Sequence, residues 1–437
     1  MTEFMPAKMP RMKDAAVWRL HVSLLLSCFW LLTSIPVRAE PSQFILFNLA
    51  QDTSSPKFIG EVRRRFANSP DAQIRVGVSR IFSYLRQPRE EVVRDLKSFL
   101  SAAQTTGTPV VVQLDGENWW QDRPDLWNWW EPNERGYSPA NRSNVEWTGW
   151  SSEEAIKIAW RNWGNQLRVT PPPNLMSPAY RAACHEEMRV LVPIVMHWWK
   201  ALPANQRYLF IGLKVGHESS IGVNAWYYPN GNRLLGQPPI SDPTNLLVCD
   251  EVPARGMVQI GYAAVKAAGI RTHGDITEAD MAEVVRLHLE DLCQIAWELG
   301  VPREKLFTHT GGWKENELLY QSGLNQFSCP GWSFYRHADD PGNDIGVQNA
   351  LKRSNAPYWA AAEWLYEGHQ QTDPWRQALT ATLASPRCRY LCIFNYEALR
   401  NCEAVLEAVR QVSRSSPASF GSDSVRRTSN PRRKYDR

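Results

Sequence analysis

The sequence predicts an α/β fold, specifically a (β/α)8 TIM barrel with long loops after its third and fourth strands. Eight short apolar runs alternate with amphipathic helices, which is the order that a parallel barrel requires. Most of these runs are nearly continuous in hydrophobic residues, as expected of parallel strands that are buried on both faces. The alternative, a doubly wound open sheet, usually has a glycine-rich turn after its first strand, and residues 48–52 contain no glycine.

The first half of the barrel has strong signals. The helix at 56–68 carries Phe58, Ile59, Val62 and Phe66 on one stripe. The helix at 88–103 opens with a proline and two acids, a favourable first turn. The eight strands are predicted at 44–50, 74–82, 109–115, 207–218, 305–311, 331–337, 358–364 and 390–395.

The second half is less regular. Two long excursions, 116–173 and 219–274, precede the helices predicted at 178–202 and 276–299. The count of eight then depends on short, weak helices at 316–324 and 348–354, and it closes with helices at 374–384 and 402–412. Cys388 and Cys392 lie four residues apart on the last strand. They are therefore expected to share a face, as buried thiols or as a disulfide.

Both ends of the chain differ from the barrel. Residues 1–39 have a basic start, an apolar run at 22–35 and small residues before position 40, which predicts a signal peptide. The alternative is a membrane anchor, but the run is shorter than the ~20 residues of a transmembrane span. The catalytic barrel is predicted at 40–412, and the Ser-, Pro- and Arg-rich segment 413–437 is expected to be a disordered basic tail. The mature protein is expected to be secreted, or periplasmic in a bacterium, and away from membranes.

The amino-acid composition limits the kinds of ligand that the protein is expected to bind. A net charge of +4 over 437 residues indicates neither a nucleic acid nor an acidic ligand, and oligomeric state is not indicated. The 20 tryptophans exceed what a core needs, and they suggest surfaces that stack on flat ligands. Some of them are expected to pack the first excursion itself, in or beside which lie Trp119, Trp120, Trp127, Trp129, Trp130, Trp147, Trp150, Trp160 and Trp163.

The carboxyl ends of the strands are where a parallel barrel places its active site. Ionisable and aromatic residues follow most of the predicted strands, more than a purely structural rim needs. The residues expected to contact a substrate are Asp115, Glu117, Trp119, His217, His309, His337, Trp364 and Asn395.

Two glutamates are the strongest catalytic candidates. Glu218 follows strand four and Glu363 follows three alanines on strand seven, so they face each other across the barrel mouth. Carboxylates ~5–5.5 Å apart suit a retaining glycosidase, whereas ~6.5–9.5 Å admits a water and suits an inverting one. The structural alternatives for Glu218 are a helix N-cap and a salt bridge on the rim.

This pattern resembles the large retaining glycoside hydrolase clan that includes β-galactosidases, cellulases and mannanases. Ala362-Glu363-Trp364 is similar to the clan's strand-seven pattern of small residue, glutamate and aromatic. The resemblance implies that Glu218 is the acid/base, that Glu363 is the nucleophile, that an oligo- or polysaccharide is the substrate, and that no cofactor is needed. The clan usually has asparagine before the acid/base, and here His217 takes that place, which leaves the contact to the sugar 2-hydroxyl open. Gly216-His217-Glu218 is also similar to the inverting β-amylase type.

Two other functions fit parts of the sequence. A carbohydrate-binding barrel without catalysis would use the same tryptophans. A metal-dependent, amidohydrolase-like barrel would use His309 and His337, but it also needs a His-x-His on strand one and an aspartate on strand eight. The sequence has Asn48-Leu49-Ala50 and Asn395 at those places.

Overall fold

The computed structural model describes residues 43–50, 56–66, 72–162, 166–221, 225–226, 258–311, 318–335 and 337–415. The predicted signal peptide, residues 416–437 of the predicted tail, Trp163 and Arg336 lie outside this range. Among the described residues, no helix is long and apolar enough to cross a membrane.

Eight parallel strands close into a barrel in which each strand pairs with its neighbours along the chain and the last pairs with the first. The predicted (β/α)8 fold is therefore confirmed. The strands are β1 Gln43–Leu49, β2 Ile74–Ser83, β3 Val110–Asp115, β4 Phe210–Ser219, β5 Leu306–Thr310, β6 Gly331–Phe334, β7 Trp359–Trp364 and β8 Cys388–Ile393.

A helix follows each strand before the next strand begins. The eight are α1 Pro56–Arg65, α2 Arg89–Thr106, α3 Pro178–Ala201, α4 Glu278–Glu298, α5 Leu319–Ser322, α6 Ile345–Arg353, α7 Thr372–Ala384 and α8 Glu403–Arg414. Of the weak helix predicted at 316–324, the structure describes residues 318–324, in which α5 is a single turn. The much longer helix α4, of 21 residues, begins with a reciprocal capping box between Thr277 and Asp280.

Strand alternation divides the core into two layers. Phe44, Leu46 and Phe307 fill the barrel interior, while Ile45 and Phe47 pack outward against the helices. Cys392 lies in the interior layer and Cys388 in the outer one. The expectation that these two cysteines share a face is wrong because the pairing of β7 with β8 shifts register just after Cys388. Both are buried free thiols.

The long loops after β3 and β4 pair with each other through short strands. Strands Ala159–Asn162 and Gln166–Val169 of the first excursion form an antiparallel pair. The short strand Ala225–Trp226 of the second excursion adds to its edge. The loops that follow β3 and β4 thus form a small second sheet, separate from the barrel.

Candidate active site

The end of β4 has an irregular backbone that turns Glu218 away from the ordinary strand geometry. Val215 pairs with Thr308 and Ser219 with Thr310, so four steps along β4 match two along β5. Within this bulge Gly216 has φ +82° and Glu218 has φ +54°. A positive φ is costly for a glutamate, of the order of 1–3 kcal/mol, and persists only where the surroundings impose it.

Three side chains from β3 and the residues just after it hold this bulge. Gln113 donates from Nε2 to the Gly216 carbonyl at 2.8 Å, and Asn118 donates from Nδ2 to the His217 carbonyl at 2.8 Å. Ser219 Oγ donates to Glu117 Oε1 at 2.7 Å. The first two bonds satisfy buried carbonyl groups that the irregular strand pairing leaves, and the third ties the end of the bulge to Glu117.

Glu218 and Glu363 lie together at the barrel mouth, and both are buried, at 4% and 3% exposure. A carboxylate oxygen of each and a ring nitrogen of His309 all lie within 4.8 Å of one another. Tyr335 joins the two acids, since its hydroxyl lies 3.2 Å from Glu218 Oε1 and also bonds Glu363 Oε1. The two glutamates predicted from the sequence, on β4 and β7, therefore share one site.

The surroundings of Glu218 favour its protonated form. Burial, followed by the negative charge of Glu363, raises the pKa of Glu218 to about 7. The positive charge of His217 and hydrogen bonds from Ser333 and Tyr335 oppose that rise. A carboxyl group with this pKa holds a proton at mildly acidic pH and can release it during a reaction.

His217 is held by Asp115 beneath it. Although burial disfavours the charged ring, the hydrogen bond from His217 Nδ1 to Asp115 Oδ2 (3.4 Å) and the charge of Asp115 raise the pKa of His217. Asp115 is completely buried and also accepts from Ser83 Oγ and the Glu117 amide, both at 2.9 Å. Asp115 therefore orients the histidine.

His309 is the middle of a hydrogen-bonded chain that ends at Glu218. Gln113 Nε2 donates to His309 Nδ1 at 3.1 Å, and His309 Nε2 then donates to Ser333 Oγ at 2.8 Å. The Ser333 hydroxyl in turn bonds Glu218. Burial, and then the charges of Lys214 and His217, hold the pKa of His309 well below its ordinary value, so the ring is neutral.

Lys214 supports the opposite acid from inside the barrel. Its ammonium donates to the Ala362 carbonyl at 2.7 Å. That carbonyl lies beside Glu363, where the pairing of β7 with β6 shifts register. Burial lowers the pKa of Lys214, while the charges of Cys392, Glu363 and Glu218 act against that shift. A lysine in this position ties β4 to β7, the two strands that carry the glutamates.

Three of the expected substrate contacts need correction, because Asp115, His309 and Trp364 have no exposed surface. Asp115 and His309 act through His217 and Ser333. Trp364 points outward from β7, donates to the Ala338 carbonyl at 2.9 Å and packs on Trp375. Strand alternation explains the position of Trp364, since Glu363 beside it faces inward and its neighbours on the strand therefore face outward.

The other expected contacts lie at varied depths. Glu117 is nearly buried and also bonds His288 Nε2 at 3.0 Å. Trp119 is half-buried, with the Arg86 guanidinium 5.2 Å from its ring centroid. Asn395 is half-buried and caps the short helix Tyr396–Leu399. His337 is half-buried as well and does not belong to the cluster of Glu218, His309 and Glu363.

Several important residues were missed by reading only the strand ends. Ser333 and Tyr335 alternate on and just after β6 and point into the same site. Their spacing of two was the available signal. Lys214 could have been noticed as a lone cation inside an apolar strand, since such a charge is seldom buried without a partner.

A small, partly open cavity lies beside Glu218. Its volume is about 20 Å³, and Glu117, Asn118 and Glu146 also line it. This is room for roughly one water molecule. Burial raises the pKa of Glu146 to about 8, against nearby backbone amides of Trp147 and of the residues that begin the helix Tyr262–Ala267. The wall beside Glu218 thus carries two further carboxyl groups, those of Glu117 and Glu146.

Comparison with known proteins gives distant structural likenesses. No protein-family model matches the chain, and no curated protein matches it. Solved structures that resemble it include a GH5-4 broad specificity endoglucanase from an uncultured bacterium, with TM-score 0.43 and 8% identity over 87% of this chain and 96% of the other. GH26A from Muricauda sp. has TM-score 0.40 and 9% identity over 88% and 92%. A Bacteroidetes-affiliated GH5 cellulase has TM-score 0.41 and 10% identity over 89% and 97%.

The structural neighbours thus include GH5 and GH26 glycoside hydrolases. At these TM-scores and identities the likeness carries no argument about activity. The class that the fold itself defines is an eight-stranded parallel barrel with two buried glutamates at its mouth.

Proposed function

We propose that the protein is a glycosidase that cleaves oligo- or polysaccharides with retention of anomeric configuration. The observation that carries this proposal is the pair Glu218 and Glu363, whose carboxylate oxygens lie within 4.8 Å and are bridged by Tyr335. Oxygens no more than 4.8 Å apart are compatible with carboxyl groups ~5–5.5 Å apart, as in retaining enzymes, whereas inverting enzymes hold these groups ~6.5–9.5 Å apart to admit an attacking water.

The first step assigns different roles to the two acids. Glu218, protonated below its pKa of about 7, gives its proton to the glycosidic oxygen as the bond to the anomeric carbon breaks. Glu363 attacks that carbon from the other face and forms a glycosyl ester. Tyr335 donates a hydrogen bond to Glu363 and so fixes the direction of attack.

The second step reverses the proton transfer. Glu218 is now ionised and takes a proton from water, whose oxygen attacks the anomeric carbon and releases Glu363. The released Glu363 is again an anion. Its charge raises the affinity of Glu218 for the proton, which returns the pair to its starting state.

Export belongs to the same proposal. Its support is the pattern of residues 1–39, with a basic start, an apolar run and small residues before position 40.

A metal-dependent hydrolase is the rival that the same cluster raises, because Glu218, His309 and Glu363 could approach one cation. Both ring nitrogens of His309 are already bonded, to Gln113 and to Ser333. A metal would have to break one of these bonds, and the cluster does not include His337. These contacts favour the glycosidase. Activity that a chelator abolishes and added metal restores would favour the rival.

The test is a screen of aryl glycosides and polysaccharides with the wild type and with Glu363→Ala. Turnover should be abolished by Glu363→Ala while circular dichroism stays unchanged. Glu187→Ala is the control, since Glu187 is also a buried glutamate but pairs with Arg89 on the outer helices. It should lower the melting temperature and keep turnover. Turnover by Glu363→Ala would remove that residue as the nucleophile.

A further inference from the structure

The first excursion contains an open cleft of about 630 Å³ that contains none of the catalytic residues. The half-buried indoles of Trp127 and Trp130 form part of its wall. Their ring centroids are 5.5 Å apart and their planes are tilted by 32°, so the two indoles pack against each other and form one apolar part of the wall. A cleft of this size is in the range of small-molecule binding sites.

The indole nitrogens of both tryptophans are already bonded. Trp127 Nε1 donates to the Trp120 carbonyl at 3.1 Å, and Trp130 Nε1 donates to Glu131 Oε1 at 2.9 Å. These bonds fix the orientation of the rings. The part of each ring that remains for a ligand is therefore apolar surface, which suits stacking against a flat ligand.

The rim of the cleft supplies polar groups with little net charge. Three carboxylates (Asp122, Glu131, Glu134) face two cations (Arg135, Lys157), which leaves a formal balance of −1. Amide and hydroxyl groups of the lining add donors and acceptors. An anionic polymer would meet this slightly negative rim unfavourably, whereas a neutral polyhydroxylated ligand needs such donors and acceptors beside an apolar wall.

The cleft is connected to the catalytic site by the chain itself. Val169 and Thr170 line the cleft, and Pro172, Pro173 and Leu175 line the small cavity beside Glu218. One short segment therefore forms a wall of both. A ligand in the cleft lies along the same loop that borders the proposed acid/base.

We propose that this cleft, with Trp127 and Trp130 as the apolar part of its wall, is an accessory binding site for a neutral polysaccharide, separate from the site of bond cleavage. The inference rests on the proposed glycosidase for its biological use, although the binding itself needs no catalysis. An accessory site of this kind implies that the substrate is a polymer, since a small glycoside bound at Glu218 and Glu363 would not reach the cleft.

The experiment is native gel electrophoresis in gels that contain mixed-linkage glucan, glucomannan or arabinoxylan as neutral polymers, or polygalacturonate as an anionic one. At least one neutral polymer should retard the wild type, and Trp130→Ala should bind it about tenfold or more weakly, as expected for a central tryptophan in an interface. Thr170→Arg should weaken binding similarly by obstructing the cleft while leaving both indoles in place. This second variant keeps the test valid if Trp130→Ala folds poorly.

Trp297→Ala is the matched control. Trp297 is a 50% exposed indole on α4 that pairs with Phe327 at the same 5.5 Å centroid distance, but it does not line the cleft. It should bind like the wild type. The proposal is overturned if no neutral polymer retards the protein, if only polygalacturonate does, or if Trp130→Ala and Thr170→Arg both bind like the wild type.

Hydrolysis distinguishes this result from the proposed function. The two cleft variants should lose at least tenfold more kcat/KM on the retarding polymer than on an aryl glycoside. Equal losses on both substrates contradict the accessory site. An absence of all glycoside cleavage by the wild type contradicts the glycosidase instead, whatever the gels show.

Discussion

Removing the Ser333 hydroxyl should raise glycosidase activity at alkaline pH. Ser333 accepts a hydrogen bond from His309 Nε2 at 2.8 Å, so its own proton is directed to Glu218. That bond favours the ionised form of Glu218 and opposes the rise that burial and Glu363 produce. In Ser333→Ala the pKa of Glu218 should therefore rise above about 7.

The size of the effect follows from the strength of one hydrogen bond. A net contribution of about 1 kcal/mol corresponds to roughly 0.7 of a pKa unit. Because Glu218 must be protonated to act as the acid, the alkaline limb of kcat/KM should move up by that amount. Well above the pKa, the protonated fraction should increase about fivefold.

The assay is the pH dependence of kcat/KM on an aryl glycoside, from pH 5 to 9. Ser322→Ala is the control, since Ser322 is equally buried but its hydroxyl bonds the Ala282 carbonyl on α4. Both variants should lose some thermal stability, because each leaves a buried polar group without its partner. Only Ser333→Ala should move the limb. A limb that stays in place or moves to lower pH would refute the role given to the Gln113–His309–Ser333 chain.

Two further substitutions test the proposed roles separately. Glu218→Gln should reduce kcat far more on glycosides with poor leaving groups than on activated aryl glycosides, because only the former need protonation; steady-state kinetics that show equal losses would contradict the acid role. Tyr335→Phe removes the hydroxyl that donates to Glu363 and should lower kcat/KM at pH 5 by roughly tenfold to a hundredfold, as expected for a bond to a charged group. The same measurement with an unchanged kcat/KM would show that Tyr335 does not orient Glu363.

The barrel could be predicted because its signals are local. Each strand is a short apolar run, and the longer helices have a stripe at helical spacing, so both can be recognised one segment at a time. The order of the segments then implies parallel neighbours and a common edge for their carboxyl ends. This is why Glu218 and Glu363 could be paired although 145 positions separate them, the difference of their numbers.

The details of the site depend on register, which a single strand does not reveal. The bulge at Gly216–Glu218 arises from how β4 pairs with β5, and the one near Ala362 from how β7 pairs with β6. The same kind of shift places Cys388 and Cys392 in different layers. Ser333 and Tyr335 reach the two glutamates because β6 lies between β5 and β7.

The most direct test of the central claim is the stereochemistry of the first product. Proton NMR during cleavage of a glycoside that the wild type accepts shows which anomer of the sugar appears first, before mutarotation mixes the two. With Glu218 and Glu363 as close as the structure has them, the released sugar should keep the configuration of the substrate. Release of the opposite anomer would contradict the assignment of Glu363 as the nucleophile.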